Sequence, residues 1–166
     1  MSLINSLLQE LEQEAQTTRR VLERVPGGQL SWRPHEKART LGELAMHVAI
    51  IPGAIAELAM SPSPAQVPQF TDPVPKSAAD LIPALEESLA KAKKLLDGVN
   101  DATLRETWRL MKGERELFAL PRVALLRSIM LNHWYHHRGQ LSVYLRELDV
   151  PIPSIYGPSA DENPFA

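Results

Sequence analysis

The stretch from Pro121 to Leu148 constrains this chain more than any other. At about 100° per residue, Leu126, Ile129, Met130, His133, His137, Gln140, Tyr144 and Leu148 fall on one stripe of a helix. The pattern predicts a long helix with His133 and His137 in the middle of its apolar face. Four residues apart, their Cβ atoms lie about 5–6 Å from each other on adjacent turns. Two imidazoles at that spacing reach one metal ion from a single helix. The alternative is a pair of core histidines satisfied by hydrogen bonds, which two polar rings inside an apolar stripe make costly. The metal reading comes first. A second apolar side of the same helix carries Trp134, Leu141 and Leu145, with Leu131 further round. Such a helix is either central in its own chain or shared between two chains, and a homodimer using that side is expected.

A third histidine belongs to another helix. Thr40-Leu41-Gly42-Glu43 is a capping-box pattern, and Leu41, Leu44, Val48, Ile51, Ile55 and Leu58 continue it as an apolar stripe. His47 lies within that stripe, about 60° from Leu44 at 100° per residue. Alone it reads as a neutral core histidine; with His133 and His137 it becomes the third inward-facing imidazole. Pro52 falls inside this helix and should kink it one turn after His47. The segment from Leu41 to Met60 approaches membrane-span length, but Glu43, His47, Pro52, Gly53 and Glu57 interrupt it, and its periodicity is that of a buried helix.

Other stretches complete an all-α expectation. Residues 3–25 repeat apolar side chains at helical spacing, with Ser2 as cap and Pro26-Gly27-Gly28 as stop. Glu10, Glu12, Glu14, Arg19, Arg20 and Glu23 occupy the opposite face and read as solvated. Trp32 anchors the following connection, while His35 lies in polar loop surroundings and reads as a surface residue. Prolines 62, 64, 68, 73 and 75 exclude a helix between Ser61 and Lys76 and predict a surface crossover between the second and third helices. Ser77-Ala78-Ala79-Asp80 caps a third helix that runs to Gly98. Thr107 to Phe118 reads as a short hairpin turning near Gly113.

Composition closes off several function classes. The 166 residues suit one domain burying roughly two-thirds of its unfolded surface. Eighteen Lys and Arg balance twenty Asp and Glu without a basic tract, which argues against a nucleic-acid partner. There is no cysteine, so any metal is held by nitrogen and oxygen. Met1 to Ser6 lacks the basic and apolar regions of a signal peptide, so the expectation is a cytoplasmic protein that does not engage a membrane.

Four segments resemble the DinB-like (DinB/YfiT) superfamily: Leu30-Ser31-Trp32-Arg33-Pro34, Leu41 through His47, His133 through Leu141, and the tail from Tyr156 to Glu162. The resemblance spans nearly the whole chain. It implies a four-helix bundle with a long crossover, a homodimer, and a divalent metal held by one histidine of the second helix and two of the fourth. Carried over, these are His47, His133 and His137. His136 matches a frequent neighbouring histidine but points about 60° away from the stripe, outside the ligand set. Characterised relatives include thiol S-transferases and thiol-dependent isomerases.

Three histidines without a carboxylate or thiolate leave positions for water or substrate. Zinc or nickel is the first expectation, and iron and manganese also accept imidazole. Asn132, Gln140 and Glu43 are candidates to orient the rings. Three functions follow as expectations: a metal-dependent enzyme acting on a small molecule, such as a low-molecular-weight thiol; a metal-binding or stress-response protein without turnover; and a bundle that only dimerises.

Overall fold

A computed structural model describes residues 2–69 and 73–165. Residues 70–72 of the expected crossover lie outside the described residues. Helix α1 (Leu3–Leu22) starts where the Ser2 hydroxyl accepts from the Asn5 N–H. Helix α2 (Leu41–Met60) starts at the full Thr40/Glu43 capping box. Strand β1 (Ala65–Gln66) follows, then a capped 3-10 turn (Ala78–Asp80) leading into α3 (Leu81–Leu96). Next come a short α4 (Asp101–Arg105) and the strands β2 (Thr107–Lys112) and β3 (Arg115–Pro121). Helix α5 (Arg122–Leu125) continues through a π-helical segment (Leu126–Asn132) into α6 (His133–Glu147). The chain then ends in an extended tail.

Long helices dominate, but the all-α expectation needs correction, because three strands form a sheet in the order β1-β2-β3. The hairpin arises from alternation: Trp108 pairs with Leu120 and Leu110 with Phe118 across the antiparallel ladder. Gly113 has φ +61° at the first of two turn residues, the position that a type II′ turn reserves for glycine. The proline-rich segment after α2 adds the edge strand β1, parallel to β2, with Ala65 beside Leu110.

Helix α2 sits at the centre, packed against α3, α6 and α1. Its length and apolarity suffice for a membrane span by composition, yet most of that stretch is buried inside the chain. Pro52 has no N–H, so the Val48 carbonyl loses its helical donor. The indole Nε1–H of Trp134 on α6 takes that place, donating to Val48 O at 2.8 Å. One residue on, a Cβ added to Gly53 would lie 2.8 Å from the backbone oxygen of Ser88, so only glycine allows α2 and α3 to approach this closely. The Ser88 hydroxyl accepts from the Gly53 N–H and donates to Ile50 O. At the far end of α2, the buried Arg122 guanidinium donates to the carbonyls of Ala59 and Ser61.

Trp134, Leu141 and Leu145 are therefore buried within their own chain. Their apolar side is central, so the argument that took them as a dimer surface is corrected. Replacing Trp134 by Phe should strand the Val48 carbonyl in apolar surroundings at a cost of about 1–3 kcal/mol. Urea denaturation would measure the loss. It should shrink when Pro52→Ala is added, since an alanine there restores the missing N–H; an equal loss in both backgrounds would refute the link.

Candidate metal centre

Helices α2 and α6 run antiparallel, as Tyr144 meeting Arg39 at one end and Trp134 meeting Val48 further along require. That arrangement carries His47 on α2 to the level of His133 and His137 on α6. The Nε2 atoms of His47 and His133 are 3.2 Å apart. Ring centroids are separated by 4.4 Å for His133–His137 and 4.6 Å for His47–His137. Taking one ring nitrogen from each, all three lie within 4.8 Å of one another.

The placement differs from the sequence expectation in one respect. His133 and His137 are half-buried at the margin of the buried face, not in its middle. The buried line of α6 runs instead through Trp134, Arg138, Leu141 and Leu145. The cause is the π-helical segment immediately before His133. A π turn holds more residues than an α turn, so a stripe projected at 100° per residue from Leu126 arrives out of phase beyond Asn132. No residue pattern announced that segment.

The Gln140 side-chain oxygen accepts from His137 Nδ1–H at 2.7 Å. This contact leaves the Nε2 lone pair of His137 for a ligand and holds the ring in one orientation. Of the other candidates for that role, Asn132 is exposed, and Glu43 is committed elsewhere, its carboxylate accepting from the Thr40 N–H at 2.7 Å. That bond, foremost, holds the Glu43 carboxyl below the usual carboxylate range. His35 sits exposed in the loop before α2, with Nδ1 accepting from the Lys37 N–H. His136 is exposed, its ring 4.9 Å from that of His137 and outside the three-nitrogen cluster.

Burial pushes the His137 imidazole down to about 4, and neighbouring His47, His133 and His136 push in the same direction, against the Gln140 contact. His137 is therefore neutral near pH 7, the form that binds metals. Since its folded pKa lies below the unfolded value of about 6.5, the unfolded chain takes up the proton first. The metal-free protein should hold its full stability above about pH 6.5 and lose part of it as the pH falls towards 4. Melting temperatures of chelator-treated protein across that window should fall more steeply for the wild type than for His137→Asn. Parallel curves would remove His137 as the source.

The donor set fits a divalent cation. Two nitrogens bound to one ion with bonds of about 2.1 Å lie at most about 4.2 Å apart, so the 3.2 Å pair already fits and the widest pair needs only a small ring rotation. Nitrogen donors without thiolate suit zinc, nickel, iron or manganese.

Sequence reasoning missed a polar network on the other side of α6. Glu14, taken for part of a solvated face, is buried, and its carboxylate accepts from Arg138 Nη2 at 2.6 Å. Thr18 Oγ1 accepts from Arg138 Nη1 at 3.1 Å, and the Tyr156 hydroxyl reaches both Glu14 and Arg138. The Arg138 guanidinium also lies 5.3 Å and 5.2 Å from the ring centres of Tyr135 and Tyr156. The network ties α1, α6 and the C-terminal tail behind the histidines.

Comparison with known proteins agrees with this architecture. The DinB family profile matches residues 1–163. Over 160 residues the chain is 29% identical to the uncharacterized protein YrdA of Bacillus subtilis, covering 96% of this chain and 91% of that protein. A DinB-like protein from Bacillus cereus has a similar crystal structure, with a TM-score of 0.71 at 23% identity over 92% of this chain and 97% of that one. The DinB-like protein YjoA from Bacillus subtilis gives 0.64 at 20% identity over 87% and 92%. At these identities the two structures speak for the fold alone.

Proposed function

The chain belongs to the DinB family, and we propose that it is a metal-dependent enzyme acting on a small molecule, of the thiol S-transferase or hydrolase type, with His47, His133 and His137 holding one divalent ion. The observation that supports this most directly is the convergence of three imidazole nitrogens from two helices, a cluster that contains no carboxylate or thiolate among the described residues. Three protein ligands leave room for a substrate, as catalytic sites do and closed structural sites do not. Zinc or nickel is the first candidate, then iron or manganese. When bound, such an ion supplies Lewis acidity towards a water, a thiol or a carbonyl. Gln140 orients His137, and the half-buried setting keeps that ring neutral. Trp134, locked to α2 through Val48, fixes the distance between the two helices that carry the ligands. The finer architecture implied by the resemblance belongs to the same proposal: α1, α2, α3 and the α5–α6 run as a four-helix bundle, in a homodimer whose contact uses surface other than Trp134, Leu141 and Leu145.

The test begins with elemental analysis of protein purified without a metal-affinity tag, where one ion per chain is expected. Metal-exchanged protein is then screened with low-molecular-weight thiols paired with electrophiles, and with small hydrolysable substrates. Stoichiometric metal without turnover would favour a metal-binding or stress-response protein. Absence of bound metal would refute the site.

A further inference from the structure

One strip of α2 stays open to solvent. Between residues 43 and 57, Glu43, His47, Ile50 and Ala54 are half-buried, Glu57 is exposed, and every other residue is buried. Their spacing alternates between four and three residues, so all five lie on one face of the helix. Helix α6 borders this face on one side, where the Nε2 atoms of His47 and His133 are 3.2 Å apart. Helix α3 borders it on the other, where Lys91 Nζ donates to the Glu57 carboxylate at 2.7 Å. The strip is a floor shared by the histidines and by the seam between α2 and α3.

That seam holds a groove of about 300 Å³, with Met46, Ile50 and Ala54 of α2, Ala84 of α3 and Pro73 of the crossover in its lining. Met46 precedes His47 in the chain, Ile50 stands one turn beyond it and Ala54 two turns beyond. The groove therefore begins level with the histidine and runs about 10 Å along the helix, the rise of two turns. Polar groups in its middle are already satisfied. The Ser88 hydroxyl accepts from the Gly53 N–H at 2.8 Å and gives its one proton to the Ile50 carbonyl at 3.0 Å. What this middle stretch offers an occupant is apolar surface to cover. The charged side chains of the lining are Glu57 and Lys91, paired across the far end, and Glu87 on the exposed side of α3.

We propose that this groove is the second half of the substrate site and receives an apolar arm of the small molecule whose reacting group meets the ion at His47, His133 and His137. The inference rests on the metal-site reading above and narrows its substrate to a molecule with a hydrocarbon chain or ring system extending about 10 Å from the reacting group. Small-molecule sites commonly join an apolar cleft to a few placed polar groups, and here the histidines supply those groups at one end of the floor. A half-open seam between two helices can also hold nothing but water, and the experiment decides between the two.

Zinc-loaded protein is titrated calorimetrically with straight-chain alkanehydroxamates, from acetohydroxamate to octanohydroxamate, whose head group chelates the ion whatever the natural reaction. Affinity should rise about twofold with each added methylene, since full burial of one is worth about fourfold and the groove is open on one side. Ala54→Glu and Ala84→Glu each put a carboxylate into the groove at a half-buried position. Both should abolish the rise with chain length while their zinc content stays unchanged. Ala90→Glu, at an exposed position of α3 outside this groove, should keep the rise in full. A rise that survives both groove variants, or a wild type whose affinity does not grow with chain length, would overturn the inference while leaving the metal reading intact. A wild-type protein that takes up no zinc would overturn both.

Discussion

His47→Ala protein, purified without a metal-affinity tag, is expected to carry no stoichiometric metal. His47 is the one residue of the proposed ligand set on α2, and its Nε2 lies 3.2 Å from that of His133. Without it, two imidazoles of one helix remain, a donor count below that of catalytic zinc sites. His133→Ala and His137→Ala should behave alike. His35→Ala should bind as the wild type does, because that ring sits in the exposed loop before α2. Elemental analysis and competition with a chromogenic chelator measure the outcome, and full occupancy in the His47→Ala protein would refute the assignment. Folding should survive each substitution, since the core of α1, α2, α3 and α6 contains none of the three rings. In the wild type, an ion bound only by the native state should raise the melting temperature, by about 4 kcal/mol of stability at a thousandfold excess over its dissociation constant.

Glu14→Ala is expected to cost the most stability of any single change considered. The side chains of Arg138 and Glu14 are 1% and 8% exposed, so removing one partner leaves a buried charge without compensation. Breaking such a pair costs roughly 3–5 kcal/mol, which corresponds to a fall of about 10 °C in melting temperature for a chain of this size. Arg138→Met should be similarly damaging. The double variant Glu14→Leu/Arg138→Met should recover much of the loss, because an apolar pair needs no desolvation of charge. Tyr156 reaches both partners, so the tail beyond residue 150 should also become more sensitive to limited proteolysis in Glu14→Ala. A melting temperature within 2 °C of the wild type, less than about 1 kcal/mol for this size, would show that the pair contributes little.

The two variants probe opposite sides of α6, and those sides were unequally legible in the sequence. The histidine set could be read from local spacing: His133 and His137 are four residues apart, and His47 lies inside the apolar stripe of a helix whose capping box is written in Thr40 and Glu43. The boundaries of α1 and α2 and the hairpin at Gly113 follow equally local rules, since caps, periodicity and turn chemistry involve residues within a few positions of each other. The resemblance to the family rested on the same short segments.

What the tertiary structure alone decided involves partners far apart in the chain or a break in regular geometry. Glu14 resembles Glu10 and Glu12 on the same charged face until Arg138, 124 residues away, is folded against it. Trp134 was expected to face a second chain until Pro52 left a Val48 carbonyl for its indole to satisfy. The π-helical turn before His133 set the phase of α6 and moved the histidines from the centre of the buried face to its half-open margin, where a ligand can reach them. Strand β1 joined the sheet with two residues from a proline-rich segment, too few to leave a period. Local backbone preferences set each element and its ends, whereas the pairing of buried polar groups and the rotation of one helix against another depend on contacts that exist only once the chain is compact.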